Sequence, residues 1–570
     1  MTQQLKRHSM AILACTLLLG LRSDLALAIN GGPLQVTPRN SWRAFEVISV
    51  GENPAGDDIN YSMLGAFDGL GAWLPDAATL RVQLNHETAD ASVSEVNLHL
   101  ANFQTAIKNM IVGGTTGGVT FVTSAQQAYD RWSADGGTNW TNTTDVSNTS
   151  FSRFCSSQSY KPNTFGTDRG FVDDIYITGE EFTATNRLFA IDSANRDFYQ
   201  LSGVTGSASG GGGIGGMPYD SWENAALLDT SETNHVALLL SPDGGTQIMQ
   251  LYIGEKGKGI NGSASSSFLA RNGLAYGSYY YLNDTLPASG TSTDGFFDTT
   301  TAGALYSAKL EDVDTNPNYP TQTVIGIQET GLFTFDFALD FGGGGFSAAG
   351  SSFSVTKIQN HVNDTDGAFG DADNVDWTAA TTLGGVTYAN GLIFVNEDSF
   401  TAGGETWMTT PTASAATTLI GDTIGIVNST ETTGVLDISN LLGYRPGSVL
   451  LANNQGTAAS LSVLIHPNAK LSADFNGNGI VDAADYAIWR NALGQTGAGH
   501  VADASGNGIV DMPDYDAWRA SFGNSIVAGA GTGEATGAVP EPSSWLLVAM
   551  IPAASAVNRP IGVRRRAARA

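Results

Sequence analysis

The chain has 570 residues and a net charge of −28, although only 14% of its residues are charged. So acidic a composition argues against nucleic acid as a partner, because phosphate-backbone binding needs a basic surface. The length fits two to four domains. The 69 glycines, with abundant Thr, Ser and Asn and recurrent aromatics, point to many short strands and turns.

The N-terminus reads as an export signal. Lys6-Arg7 form a charged start, Met10 to Leu21 an apolar stretch, and Ala26-Leu27-Ala28 a small-residue cleavage site. Cleavage there makes residues 1–28 the signal peptide and Ile29 the first mature residue. The alternative, lipoprotein processing at Cys15, has too short an apolar stretch before it. Export leaves Cys155 alone, so no internal disulfide is available. A lone thiol is either a small buried apolar group or one with a task.

Residues 29–465 form the main domain. Short runs such as Thr79 to Leu84, Ile175 to Thr178, Val236 to Leu240, Thr323 to Ile327, Leu332 to Phe337 and Leu392 to Val395 are bounded by Gly, Asn, Asp or Pro, and predict strands. One helix is predicted over Ser94 to Met110, from the spacing of Val96, Leu100, Phe103 and Ile107. So many strands in one region favour an all-β fold, a β-propeller, over stacked sandwiches. The glycine-rich stretches 207–216 and 342–345 read as loops. The first has a phosphate-loop-like glycine pattern without the helix such a loop needs.

Acidic residues gather at predicted strand ends: Asn85-His86-Glu87, Glu180-Glu181, Trp222-Glu223-Asn224, Asp373-Asn374-Val375-Asp376 and Asn396-Glu397-Asp398. Carboxylates converging on a propeller axis ionise together only where a cation neutralises them. Carboxylates suit Ca²⁺ or Mg²⁺, and an added thiolate favours iron. Plain turn residues are the competing reading of these clusters. His86 is expected to be a hydrogen-bonded structural histidine, and Trp222 a core residue.

The order of Leu84-Asn-His-Glu87, Arg153-Phe-Cys-Ser-Ser157, Asp173 to Glu181, Ser221-Trp-Glu-Asn224, Leu251 to Gly259, Asn272 to Gly277, Asp373 to Trp377 and Val395 to Ser399 resembles the PhoX-like family of secreted alkaline phosphatases. The resemblance implies a six-bladed propeller with an iron–calcium cluster on its axis. It makes Cys155 an iron ligand, and Glu180, Glu181, Glu223, Glu397 and Asp398 carboxylate ligands, with Glu87 near the axis. It implies a phosphate-ester substrate. The chain departs from the family in having Ser156-Ser157-Gln158 after Cys155, where better-studied members have a glycine-rich context. No arginine is assigned to phosphate contact, although Arg153, Arg169, Arg187 and Arg271 are candidates.

Residues 466–525 write one metal-binding sentence twice. Asp474, Asn476, Asn478, Ile480, Asp482 and Asp485 recur 29 residues later as Asp503, Ser505, Asn507, Ile509, Asp511 and Asp514. These are loop positions 1, 3, 5, 7, 9 and 12 of a calcium loop, Ile480 and Ile509 offering backbone carbonyls, with the required Gly at position 6. Ser505 replaces an amide ligand and predicts a weaker second site. The pair resembles a small α-helical dockerin domain, which implies a cohesin-like partner; a calcium-stapled mini-domain without a partner is the plainer reading.

Residues 526–538 read as a Gly-rich linker. Residues 539–570 hold Pro540-Glu541-Pro542, an apolar stretch from Trp545 to Val557, and Arg564-Arg565-Arg566. This segment resembles a PEP-CTERM sorting signal, which implies an exosortase-type processing enzyme and a transient membrane segment. Its apolar stretch is shorter than the ~20 residues that span a bilayer comfortably. The expected destination is the cell envelope or the exterior. Three functions follow: a metal-dependent phosphatase, a non-catalytic calcium-binding surface or matrix protein, and a component of a carbohydrate-degrading complex.

Overall fold

A computed structural model describes residues 34–527 apart from 55–60, 144–150, 182–185, 203–216, 246, 364, 399–402 and 427–428. The chain divides into two units, Met1–Ala528 and Gly529–Ala570, and the described residues all belong to the first. The export signal, the glycine-rich stretch 207–216, most of the linker and the sorting segment with Pro540, Glu541 and Pro542 lie outside them. Among the described residues no helix is long and apolar enough to cross a membrane.

The main domain is all-β and propeller-type. Its first sheet runs Phe67–Trp73, Thr79–His86, Ser92–His99 and Val122–Gln127. The second begins with Phe154–Tyr160, Ile175–Glu180, Leu188–Asp192 and Asp197–Gln200. The third is Trp222–Leu228, His235–Pro242, Gln250–Glu255 and Gly277–Asn283; the fourth is Leu310–Thr315, Gln322–Ile327, Gly331–Ala338 and Ser352–Asn360. Strand Gly290–Asp298 pairs with the outer strands of both and joins them. The fifth is Ala372–Trp377, Ile393–Glu397, Glu405–Thr409 and Thr418–Asp422. The sixth is Ser429–Asp437, Val449–Gly456 and Ser460–Ile465, completed by Arg43–Ser49 from the start of the chain. The first strand of each sheet packs beside the first strand of the next, and that of the sixth packs beside that of the first. The early strand pairing Arg43 with Ile465 ties the two ends of the domain together.

Several strands form where sequence makes both faces apolar. His235–Pro242 is buried at every position. Alternate side chains point to opposite faces, so Val236, Leu238 and Leu240 join a core with the second sheet, while Ala237 and Leu239 join a core with the fourth. Each fully buried leucine contributes roughly 1.5–3 kcal/mol relative to an exposed one. Two glycines draw neighbouring sheets together near the axis. A Cβ at Gly69 would lie 2.5 Å from the Ser157 nitrogen, and one at Gly179 would lie 2.4 Å from the Trp222 carbonyl oxygen.

The predicted helix over Ser94 to Met110 is corrected. Ser92–His99 is a central strand, paired with Thr79–His86 on one side and Val122–Gln127 on the other. The helix is Leu100–Gly113. The His99 side chain caps it by accepting from the Asn102 N–H, and Gly114 at φ 74° ends it. Phe103 and Ile107 do face the core, but Val96 is buried in a central strand covered on both faces. Sheet pairing overrode a helical period that spanned the boundary.

Beyond the last sheet, helices Ala483–Ala492 and Met512–Ser521 each follow one of the tandem loops. Trp489 donates to the Asp511 carbonyl and Trp518 to the Asp482 carbonyl, both at 2.9 Å. These reciprocal bonds clamp the two repeats. The segment rests on the main domain where Thr382 donates to the Gly499 carbonyl and Arg445 to the Val501 carbonyl.

Candidate metal centres

Two structural positions recur around the axis. The second residue of the inner strand is Asp68, Cys155, Glu223, Glu311 and Asp373 in the first five sheets. The residue that follows the second strand is Glu87, Glu181, Asp243, Gln328 and Asp398. An antiparallel pair brings the start of one strand beside the end of the next, so both positions lie at the same end of the axis. The sixth sheet contributes Glu431 and Gln455.

Three groups there have ligand atoms within 4.8 Å of one another: Asp68, Glu87 and Cys155; Cys155, Glu181 and Glu223; Glu223, Glu311 and Asp373. Cys155 and Glu223 are shared, so the groups form one row. The Cys155 thiol lies 3.5 Å from Asp68 Oδ2. The Ser156 N–H donates to Glu223 Oε1 at 3.2 Å, and Asn374 links the Ser156 hydroxyl (2.7 Å) to Asp68 Oδ1 (3.4 Å). Gln455 donates to Asp68 Oδ2 at 3.0 Å and also to Glu87. Among the described residues, Glu223 Oε2, Glu311 Oε1 and Asp398 Oδ1 are buried without a hydrogen-bond partner.

Burial and mutual repulsion raise the pKa of several of these acids. Burial first, then Glu87 and Glu223, pushes Asp68 well above the usual carboxylate range. Burial and then Asp243 and Glu223 do the same to Glu311, and burial with Glu311 and Glu223 does so to Asp373. Burial and Glu223 push Glu181 up to about 10, and burial with Asp243 pushes Glu223 up to about 7. The Cys155 thiol is pushed well up by burial, then by Asp68. Two cations stand near this row. Arg153 lies 3.0 Å from Glu87. Lys309 lies 2.9 Å from Asp243 and 3.5 Å from Glu311, and these acids hold it protonated against the burial that opposes them. Both cations, with Glu181, Asp243 and Gln328, line a cavity of about 640 Å³. Acids so clustered, with unpartnered oxygens and one thiol, fit metal cations: a divalent ion would offset the repulsion among them.

Of the residues expected at the axis, Cys155, Glu181, Glu223 and Glu87 belong to the row, and Asp398 lies beside it. Asp398 accepts from Gln328 at 2.6 Å, and Glu431 and Asp373 are its acidic neighbours. Glu180 and Glu397 are corrections. Glu180 turns away to Arg187, whose Nε and Nη2 each donate at 2.6 Å. Glu397 accepts from the Gly370 N–H, among Glu405 and Asp371. Each is the last residue of its strand, and alternation sends the following residue to the axis instead. His86 occupies the same last place. Its ring nitrogens meet the Gly65 carbonyl at 3.0 Å and the Ser94 hydroxyl at 2.5 Å, the structural role expected of it. Trp222 is fully buried core. Asp68, Glu311, Asp243 and Glu431 escaped the sequence reading. A signal exists in hindsight: an apolar residue followed by an acid opens an inner strand at Phe67-Asp68 and Leu310-Glu311, as at Trp222-Glu223.

The tandem loops repeat one geometry. Asp474 accepts from the Asn478 and Gly479 N–H groups at 3.0 and 2.7 Å, and Asp503 from Gly506 and Gly508 at 2.8 Å each. Asp485 accepts from Asn476 and Asp482, and Asp514 from Ser505 and Asp511. Gly479 and Gly508, at φ 83° and 79°, make the sharp turn that a side chain would strain. Asn476, Asn478, Asp482, Asn507 and Asp511 sit between these anchors. The carbonyl-bearing Ile480 and Ile509 pair with Ser525 and Thr496. None of the three close acidic groups lies in the loops, whose carboxylates are turned onto backbone N–H groups.

The fold and its axial row thus define a propeller-type protein with acidic clusters that could hold a metal. No family model matches the chain, and no curated protein matches it. Among solved structures it is similar to Pseudomonas fluorescens PhoX in complex with vanadate, a transition-state analogue, at 10% identity and a TM-score of 0.50, over 77% of this chain and 97% of that one. The likeness is one of fold. Penicillium chrysogenum α-L-arabinanase complexed with arabinobiose matches at 12% identity and a TM-score of 0.34, over 76% of this chain and 99% of that one. The GH93 α-L-arabinofuranosidase of Fusarium graminearum with arabinobiose matches at 10% identity and a TM-score of 0.32, over 76% and 98%.

Proposed function

We propose that the protein is an exported, metal-dependent phosphomonoesterase: a six-bladed propeller with iron and calcium in its axial row, a dockerin-like calcium module that takes a cohesin-like partner, and a sorting segment processed by an exosortase-type enzyme. The observation that carries the reading is the overlap of three ligand groups through Cys155 and Glu223. Shared ligands suit several ions in a row, with carboxylates for calcium and the thiolate of Cys155 for iron. Asp68, Glu87, Glu181, Glu311, Asp373 and Asp398 complete the oxygen ligands.

Such ions, when bound, polarise phosphoryl oxygens and neutralise the charge that builds during ester hydrolysis. The chain's own residues do the rest. Lys309 and Arg153 line the cavity beside the row and bring positive charge to an incoming phosphate. Asp243 and Glu87 hold their positions. Gln328 and Gln455 orient Asp398, Asp68 and Glu87 by donating to one oxygen of each, and Asp398 Oδ1 is left without a partner among the described residues.

The calcium module is supported by the matched anchoring of Asp474 and Asp503, of Asp485 and Asp514, and by the reciprocal tryptophan bonds. The test of the whole reading uses the purified full chain: iron and calcium contents, and turnover of a generic phosphomonoester, for wild type and Cys155→Ser. Iron and turnover in wild type, both lost in the variant, are expected. Absence of iron and turnover removes the phosphatase, and calcium alone would favour a non-catalytic surface or matrix protein.

A further inference from the structure

The third sheet carries a group of tyrosines, at the end that bears Glu223 and Asp243, that the metal row does not use. In an antiparallel sheet the start of the first strand, the end of the second, the start of the third and the end of the fourth all lie at one end. In this sheet those are Trp222, Pro242, Gln250 and Asn283, and the register pairs Trp222 with Pro242 and Gln250 with Tyr281. Tyr219, Asp220, Gln250 and Tyr281 therefore lie at the same end as Glu223 and Asp243. Tyr306 joins them through its pairing with Ile248. Its neighbour Ser307 lines the cavity, as does Ser221 beside Asp220.

These groups stand close together. Tyr279 and Tyr281, two residues apart on one face, meet edge to face with centroids 5.6 Å apart. Burial, then Tyr279, Asp220 and Tyr306, pushes the Tyr281 phenol up. Gln250, 3% exposed, donates to Asp220 Oδ2 at 3.1 Å, and its own carbonyl oxygen has no partner among the described residues. Tyr219 and Tyr306 remain 44% and 49% exposed. A single exposed tyrosine needs no explanation. Several around one carboxylate combine flat apolar faces with a hydrogen-bond acceptor, and that combination matches a ring with C–H faces and hydroxyl donors.

We infer that Tyr219, Asp220, Gln250, Tyr281 and Tyr306 form a subsite for a sugar ring, so that the ester cleaved at the axis is a sugar phosphate. This rests on the phosphatase reading: the axis takes the phosphate and the tyrosines take the alcohol. The tyrosine faces cover the ring, and Asp220, held by Gln250, accepts from its hydroxyls.

The test compares equilibrium binding of glucose 6-phosphate, phenyl phosphate and inorganic phosphate to the metal-loaded full chain, on a time short against turnover, with kcat/KM for the two esters. Wild type, Tyr306→Ala, Tyr281→Ala and Tyr281→Phe are used. Tyr306 is half exposed, so its loss leaves the fold intact. The sugar phosphate is expected to bind about tenfold more tightly than inorganic phosphate. Each alanine variant should bring that ratio towards one with phosphate affinity unchanged, and Tyr281→Phe should retain most of it. Equal affinities in wild type, or a preference that both alanine variants keep, would overturn the subsite. An equal preference for phenyl phosphate would make it an aryl site and overturn the sugar assignment. Failure of all three compounds to bind, phosphate included, would remove the phosphatase reading and this inference with it.

Discussion

Cys155 and Glu223 occupy the same place in adjacent sheets, the second residue of an inner strand, and each belongs to two of the three overlapping ligand groups. The Ser156 N–H, next to Cys155 in the chain, donates to Glu223 Oε1 at 3.2 Å. One structural position, repeated around a ring, thus converts residues far apart in sequence into one row of ligand atoms.

Removing Glu223 is therefore expected to have opposite effects in the two states of the protein. Its carboxyl is fully buried and raised from 4.5 to about 7, a shift on the order of 3 kcal/mol against the ionised form. In chelator at pH 9, Glu223→Gln should be more stable than wild type by up to about that amount. With metals present, the same variant should lose metal affinity by ~100-fold or more, beyond the loss seen on removing a residue that only orients a ligand. Chemical denaturation with and without chelator, beside metal titration, reads both.

The pH dependence of metal-free stability follows from the same shifts. Between the ordinary carboxylate value of 4.5 and the raised values of about 7 for Glu223 and about 10 for Glu181, the unfolded chain has released protons that the folded row still holds. Stability must fall as pH rises through that window. The melting temperature in chelator should drop steadily from pH 5 to pH 10, and added divalent metal should flatten the curve. A metal-free Tm that rises over this range would contradict the burial of the row as described.

The tandem loops should titrate as two unequal calcium sites. Asp474→Ala removes the anchor of the first loop, and Asp503→Ala that of the second. Ser505 stands where the first loop has Asn476, so the second site is expected to be the weaker. Calorimetry should give two binding steps that belong to the loops, with the tighter lost in Asp474→Ala and the weaker in Asp503→Ala. Chelation should expose the clamp between Trp489 and Trp518, read as a change in tryptophan fluorescence.

Sheet packing near the axis depends on Gly179. A Cβ there would approach the Trp222 carbonyl oxygen to 2.4 Å, and both segments are backbone that cannot yield cheaply. Gly179→Ala should destabilise by about 1–3 kcal/mol, as overpacking of a tight core does, and should weaken metal retention because Glu181 and Glu223 flank the contact. Leu238→Ala, a cavity far from any ligand, should cost about 2–5 kcal/mol with metal stoichiometry unchanged.

Much of the fold was legible in the chain. Short apolar runs such as Val236 to Leu240, bounded by turn residues, announce strands, and each predicted run falls on one. The tandem repeat of Asp474 to Asp485 is equally plain, because it is local in sequence. The axial row was half legible. Cys155, Glu181, Glu223 and Glu87 were found, but Glu180 and Glu397 were drawn in with them. The difference between Glu180 and Glu181 is one step of strand alternation, sharpened by the irregular pairing between Thr178 and Glu180. Neither residue type nor spacing shows which of the two faces Arg187. Asp68 and Glu311 are single acids in unremarkable surroundings, and only the ring of inner strands brings them to Cys155 and Glu223. The helix over Ser94 to Met110 misled for a related reason: Val96 belongs to a strand held by long-range pairing, while Phe103 and Ile107 belong to the helix that follows.

The central claim is that the axial row binds metal through Cys155 and Glu223. Elemental analysis of the purified full chain tests it most directly, with wild type compared to Cys155→Ser, Glu223→Gln and the double loop variant Asp474→Ala/Asp503→Ala. The account predicts iron and calcium in wild type, iron lost in Cys155→Ser, axial metal lost in Glu223→Gln, and axial metal kept when the loops are disabled. Metal confined to the tandem loops, with nothing left in the double loop variant, would contradict it.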